Sequence, residues 1–234
     1  MKLIYTFDKN VYKEDFHKFE VIKSYYINSM QSTKKLGYSI EIYTNTDIFN
    51  SYVDKTNNVL NEFTFWDGFK TIPLLNNVDG VLVDGDIIFN SKLPEFTSDI
   101  DLYFDGWESW MDLYSNGITE LTKMGIGDVI PEWENVPQRI VNIGLLKINN
   151  SELRELYLDR WYKMYNFCNH NKDDMKYFYM CCTIASQYLL TILSKKYKIK
   201  NISNRLGKPN GYYTHFVGQG KYNSTPLPTT KLII

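Results

Sequence analysis

Gly80-Val81-Leu82-Val83-Asp84-Gly85-Asp86 is an apolar run that stops abruptly at two carboxylates one residue apart. A short, continuous apolar stretch of this kind predicts a buried strand. In open α/β sheets ligands bind just beyond the carboxyl ends of the strands, so the pair falls where a site is expected. Two carboxylates flanking a small Gly can share a hard divalent cation, whose remaining positions go to phosphate oxygens and water. Taken alone, such a pair is also a common surface feature of strand-to-loop junctions. The chain carries its own control in Asp99-Ile100-Asp101, which precedes its apolar run and is expected at the wrong end of its strand.

Upstream of this stretch, residues 3–7 form a continuous apolar and β-branched run, and residues 14–35 place Phe16, Phe19, Ile22, Tyr26 and Met30 at three- and four-residue spacings. That predicts a strand followed by an amphipathic helix. Gly37 closes the helix, and Ser39 to Thr44 gives the next strand before the polar turn Asn45, Thr46, Asp47. The opening is thus βαβ, with parallel strands ending on one edge. Residues 69–77 predict a short helix despite Pro73. Downstream, residues 102–104 read as a strand and residues 105–135 as an irregular polar and aromatic loop. Arg139 to Ile148 returns to strand, Ser151 caps a helix running to about Tyr165, and residues 173–196 supply a second long helix. The tail from Gly211 onward has little periodic pattern. These elements predict an α/β fold with a mostly parallel central sheet flanked by helices, in one domain spanning 1–234.

Near the end, Tyr212-Tyr213-Thr214-His215-Phe216-Val217-Gly218-Gln219-Gly220-Lys221 sets a His, a Gly three residues on and a Lys three beyond that. A neutral imidazole can complete the coordination of a cation already held by carboxylates. The glycines let backbone N–H groups approach phosphate, and Lys221 offers a mobile positive charge. A single His beside aromatics is ordinarily just packed; its occurrence with Asp84 and Asp86 gives it chemical interest.

Composition removes several classes of function. Lys and Arg total 26 against 27 Asp and Glu, a net charge of -1, which leaves no single-sign field to hold nucleic acid. Aromatics reach 16% with 19 Tyr and 5 Trp, enough that some rings are expected in a groove. Cys168, Cys181 and Cys182 are odd in number and lack metal-ligand spacing, so reduced, buried thiols and a cytoplasmic setting are expected. Residues 177–193 are interrupted by Thr183, Ser186, Gln187 and Thr191 and predict a buried helix instead of a transmembrane segment; no secretory signal is expected at the N-terminus.

Three blocks together resemble the GT-A glycosyltransferases, most closely the retaining family of glycogenin and the bacterial lipooligosaccharide galactosyltransferases. They are VLVDGDIIF from Val81 to Phe89, VNIGLLKIN from Val141 to Asn149, and HFVGQGK from His215 to Lys221. The resemblance implies a GT-A fold, with residues 1–90 as a nucleotide-binding half and 91–234 as an acceptor half carrying the C-terminal metal and diphosphate segment. It implies transfer of a sugar from a nucleotide-diphosphate donor, UDP favoured, to a glycan or other hydroxyl acceptor. Asp84, Asp86 and His215 would hold Mn2+ or Mg2+, and Gly218 and Lys221 would grip the diphosphate. Thr6 and Asp8 would lie near base and ribose, Lys70 would reach the phosphates, Asn142 would face the sugar, and Gln187 would stand on the reactive face of the donor. The chain departs from the family where Tyr222 and Asn223 follow Lys221 in place of Pro-Trp, and where Ser186 replaces a carboxylate before Gln187.

A retaining enzyme needs little from a base, whereas an inverting one needs a carboxylate on the far face of the sugar. Asp105 and Glu108 are the candidates, with Trp107 and Trp110 nearby to stack on a pyranose or to pin the loop. Asp84-Gly85-Asp86 also resembles the nucleophile block of haloacid-dehalogenase-type phosphohydrolases, although that block follows a first strand and leaves His215 to Lys221 unexplained. A nucleotidyltransferase would need a Gly-rich loop where Asp8-Lys9-Asn10-Val11 stands. A non-catalytic carbohydrate-binding protein on the same fold is the non-enzyme alternative.

Overall fold

The computed structural model describes residues 1–12, 14–59, 68–76, 79–109, 112–133, 139–203 and 211–216. The chain opens with β1 (Lys2–Phe7), α1 (Phe16–Lys35) and β2 (Ser39–Thr44), followed by β3 (Lys55–Asn58) and α2 (Gly68–Leu75). Asp15 accepts a hydrogen bond from Lys18 N and so starts α1 two residues later than the apolar spacing predicts. Gly37 ends it with φ 77°, a left-handed conformation that costs glycine little. Pro73 sits inside α2 and forfeits one backbone donor there.

β4 (Val81–Val83) and β5 (Ile87–Phe89) flank the carboxylate pair. β6 (Leu102–Ser109) runs five residues past the predicted strand, and α3 (Asp112–Lys123) then occupies the stretch read as irregular loop. The apolar pattern stops at Asp105, where the register to β7 (Arg139–Ile148) shifts: Phe104 pairs with Leu146 and Gly106 with Asn142, so the extra residues at this irregularity belong to β7, and pairing resumes beyond it. α4 (Ser151–His170) is capped by Asn150, whose side chain accepts from Leu153 N, in place of the predicted Ser151. The second long helix is broken into α5 (Phe178–Thr183), a π-helical turn (Ile184–Tyr188) and α6 (Leu189–Leu193). β8 (Ile199–Asn201) and β9 (Tyr213–His215) follow, neither legible as periodic pattern.

Among the described residues β1 to β4 and β6 to β8 form a seven-stranded sheet in the order β3-β2-β1-β4-β7-β6-β8. Only β7 runs against the other strands, so the sheet is mostly parallel, as predicted. Strand alternation divides the core: Leu3, Tyr5, Phe7, Val81 and Val83 pack with Ile22, Ile27 and Met30 of α1, whereas Ile4, Leu82 and Phe104 pack with Tyr157, Trp161 and Met164 of α4 and with the 178–193 helical segment. Each large apolar side chain removed from water in these layers contributes about 1.5–3 kcal/mol. β5 and β9 pair separately as a small antiparallel sheet on the α1 side, where Ser29 Oγ donates to Ile87 O and Ser32 Oγ accepts from Phe89 N. Cys168, Cys181 and Cys182 are buried and form no disulfide, and no described helix is long and apolar enough to cross a membrane.

One charged group braces three parallel strands. Glu41 on β2 is 3% exposed and accepts from Lys2 Nζ of β1 at 2.9 Å and from Lys55 Nζ and Asn57 Nδ2 of β3 at 2.9 and 2.7 Å. Burial by itself would raise this carboxyl, but the hydrogen bonds and the lysine charges outweigh it and hold the value at about 2, below the ordinary 4.5. A depressed carboxyl stabilises the fold above its unfolded value and loses that contribution as pH falls through the folded one. Glu41→Gln is therefore expected to cost about 1.5–3 kcal/mol at pH 7, the range for hydrogen bonds to charged groups. Urea unfolding should show the gap to the parent protein narrowing from pH 4.5 toward pH 2; a gap independent of pH would contradict the assignment.

Candidate active site

The parallel strands β1, β2, β3 and β4 end together, and the candidate residues gather at that edge. β1 and β4 pair as far as Tyr5 and Val83, so Thr6 and Asp84 are the next residues on adjacent strands. Asp84 N donates to Gly144 O of β7 at 2.7 Å, which ties the start of the turn to the sheet. Gly85 has to lack a side chain, since a Cβ there would stand 2.1 Å from Cδ2 of Tyr26, whose hydroxyl donates to Thr6 O. The ring of Tyr26 thus packs against the turn between the two carboxylates, and both are held at the sheet edge.

His215 reaches this turn through strand pairing. The β5–β9 register sets His215 opposite Ile87, one residue after Asp86, and Phe216 N donates to Asp86 O at 3.0 Å. His215 Nε2 lies 3.3 Å from Asp86 Oδ1. Asp84, Asp86 and His215 each offer a ligand atom, and those atoms lie within 4.8 Å of one another. Two hard oxygen donors and one imidazole nitrogen at that spacing suit a divalent cation.

The electrostatics point the same way. Burial raises the Asp84 carboxyl; Lys70 Nζ, 2.7 Å away, opposes the shift, and the like charge of Asp86 adds to it. For His215, burial works against the charged ring, but the Asp86 charge and the Asp105 hydrogen bond outweigh it and raise its value to about 10. The cluster thus stabilises positive charge between buried carboxylates, as a cation site requires.

Other predicted residues take up varied positions. Asp8 is buried at the end of β1, where Oδ1 accepts from Asn10 N and Asn45 Nδ2, both at 2.8 Å. Beside it, Lys9, Asn45, Thr46, Asp47, Asn58 and Val59 line a cleft of about 460 Å³ at the carboxyl ends of β1, β2 and β3. Asn142 accepts from Gly144 N at 2.8 Å and donates to Glu108 Oε1, while Glu108 Oε2 accepts from the Tyr114 hydroxyl at 2.8 Å. Gln187 lies in the π-helical turn, a feature frequent at functional sites. Its Oε1 is buried without a hydrogen-bond partner among the described residues. Thr191 docks that turn against β7, donating to Gln187 O and accepting from Val141 N beside Asn142. Gly218, Lys221 and Trp110 lie outside the described residues.

Two expectations change. Asp105 is 0% exposed and accepts from Tyr213 and from His215 Nδ1, so it is enclosed behind the cluster and does not face an acceptor as a base must. Glu108, the other base candidate, holds Asn142 and Tyr114 instead. One face of Trp107 carries the Arg139 guanidinium at 4.9 Å and Phe104 packs against the ring at a centroid distance of 4.8 Å, which fits the pinning role, one of the two readings the sequence offers for this residue. Asp99 and Asp101 stand at the opposite edge of the sheet, with Asp101 accepting from Asn150 Nδ2 and Lys198 N.

Sequence reading did not single out Gly144 or Tyr213. A Cβ on Gly144 would meet His215 Cε1 at 2.2 Å and Asn142 Oδ1 at 3.0 Å. The signal for Gly144 is the Asn-x-Gly spacing itself. Tyr213 has none beyond its offset of two from His215.

No protein-family model and no curated protein matches the sequence. Among solved structures the chain is similar to the galactosyltransferase LgtC in complex with donor and acceptor sugar analogs, at 14% identity over 79% of this chain and 70% of that one, with a TM-score of 0.41. It is also similar to an active-site mutant of LgtC, at 13% identity over 86% and 72% of the two chains, again with a TM-score of 0.41. Likeness at this depth assigns neither donor, acceptor nor reaction, which have to be argued from the residues.

Proposed function

We propose that the chain is a metal-dependent glycosyltransferase of the GT-A type, which moves a sugar from a nucleotide-diphosphate donor, UDP favoured, to a glycan or other hydroxyl acceptor. The observation that carries this reading is the convergence of Asp84, Asp86 and His215 within 4.8 Å at the carboxyl edge of a mostly parallel sheet. The 460 Å³ cleft along the same edge has room for a nucleoside. In this reading residues 1–90 bind the nucleotide, with Thr6 and Asp8 beside base and ribose, and residues 91–234 serve the acceptor.

Asp84, Asp86 and His215 would hold Mn2+ or Mg2+, which when bound supplies charge neutralisation for a diphosphate leaving group. Lys70 stands beside Asp84 within reach of the same anion, and Gly218 and Lys221 complete the grip on it. Asn142 and Gln187 face the sugar, and the buried Gln187 Oε1 suits a polar contact with the donor. Retention is favoured because Asp105 and Glu108 are both committed to partners inside the protein. The departing phosphate oxygen then takes the acceptor proton.

Incubation with a panel of nucleotide sugars, with Mn2+ or with chelator, tests the proposal. Metal-dependent release of the nucleoside diphosphate is expected, since transferases commonly leak sugar to water. Release of inorganic phosphate from phosphomonoesters would favour the phosphohydrolase alternative. Thermal stabilisation by glycans without donor turnover would favour a binding module.

A further inference from the structure

Asp105 does no work that the proposed transfer reaction requires, yet it is a fully buried carboxylate tied down on every side. It lies where the β6–β7 register shifts, and its backbone oxygen accepts from Ser203 N at 2.6 Å and Ile202 N at 3.2 Å in the segment after β8. Its side chain turns to β9, where residues two apart share a face. Tyr213 and His215 are such a pair, and each hydrogen bonds to a different carboxylate oxygen: the Tyr213 hydroxyl donates to Oδ1 and His215 Nδ1 donates to Oδ2.

The His215 ring is consequently bounded at three atoms. Nδ1 faces Asp105, Cε1 packs against the bare backbone of Gly144, and Nε2 faces Asp86. A half-turn of the ring would set carbon atoms against both carboxylates and lose both contacts. An ionised carboxylate only accepts hydrogen bonds, so a neutral ring in this position keeps its proton on Nδ1 and has its lone pair on Nε2.

We propose that Asp105 is a positioning residue, fixing the orientation and tautomer of His215 so that Nε2 is presented to the cation held with Asp84 and Asp86. The claim rests on the metal reading of the site. Carboxylate partners behind a ligating His typically change metal affinity about 10–100-fold when replaced.

The experiment is a Mn2+ titration, without nucleotide, of the parent protein, Asp105→Asn and Tyr213→Phe, with thermal unfolding of each. Asparagine keeps the shape but its amide can donate to Nδ1 and favour the wrong tautomer, so affinity should fall about 10–100-fold. Tyr213→Phe removes the other hydrogen bond on the same carboxylate and should leave affinity within about threefold, which separates positioning from bracing. Affinity of Asp105→Asn within about threefold of the parent would overturn the proposal while leaving the metal site standing, as would equal losses in both variants. Failure of the parent to bind Mn2+ would overturn the metal reading and the proposal with it. Should Asp105→Asn not fold, the nitrogen NMR signals of His215 in the Mg2+-loaded parent decide: a proton on Nδ1 supports the proposal, and a proton on Nε2 overturns it.

Discussion

Asp86→Asn is expected to lower metal-dependent donor turnover by at least about 100-fold, the scale seen when a preorganised electrostatic group is removed from an active site. Asparagine matches the shape of aspartate, and the backbone contact from Phe216 N to residue 86 does not involve the side chain. The fold should therefore survive, and the loss should appear both in Mn2+ affinity and in release of nucleoside diphosphate. The effect is large because Asp86 is 6% exposed: water cannot replace the lost charge as it would at the surface. Asp99 and Asp101 provide the matched control, since they form the same motif at the opposite edge of the sheet. Replacing both with asparagine should leave Mn2+ affinity unaltered, even if loss of the Asp101 contacts to Asn150 and Lys198 lowers stability. Unchanged turnover in Asp86→Asn would refute the assignment of this pair.

Gly144→Ala is expected to damage the site without removing any functional group. The added methyl would stand 2.2 Å from His215 Cε1 and 2.8 Å from Nδ1, distances at which something must move. The ring cannot yield freely, because Asp105 holds one side of it and Asp86 the other. Overpacking of this kind costs about 1–3 kcal/mol, and displacement of a ligand should weaken Mn2+ binding about 10–100-fold. Gly127→Ala is the control, since a Cβ there has nothing within 4 Å and should change neither property. Urea unfolding and metal titration of the two variants check the pair, and parental metal affinity in Gly144→Ala would show that His215 is not a ligand.

These residues also show where sequence reading succeeds and where it stops. β2 and β7 were predicted to the residue, because Gly37 and the turn at Asn45 punctuate one and a long, largely apolar run, broken only by Asn142 and Lys147 after Arg139, defines the other. The end of β4 and the carboxylate pair were legible for the same reason: a strand that stops at a charge is a local signal. β6 beyond Phe104 was not legible, since Asp105 interrupts the apolar pattern and only the partner strand reveals that pairing resumes. The π-helical turn was hidden too, because one extra residue in a helical turn leaves composition unchanged.

The candidate site divides similarly. Asp84, Asp86 and His215 could be named from motifs and their order. That His215 arrives by pairing with Ile87 could not, because β9 is three residues long and sits in a segment rich in Gly and Tyr. The meeting of Asp105 with Tyr213 and His215 depends on where β9 is placed, which no spacing rule predicts. Side chains that act through other side chains are set by tertiary register and remain the least readable part of a sequence.

Electron paramagnetic resonance of Mn2+ titrated with the protein in the presence of UDP tests the central claim most directly. Loss of the free-ion signal as protein is added, restored by Mg2+ and absent in His215→Ala, is the predicted result. A free-ion signal that persists at every protein concentration would mean that Asp84, Asp86 and His215, though brought together by the fold, do not hold a cation.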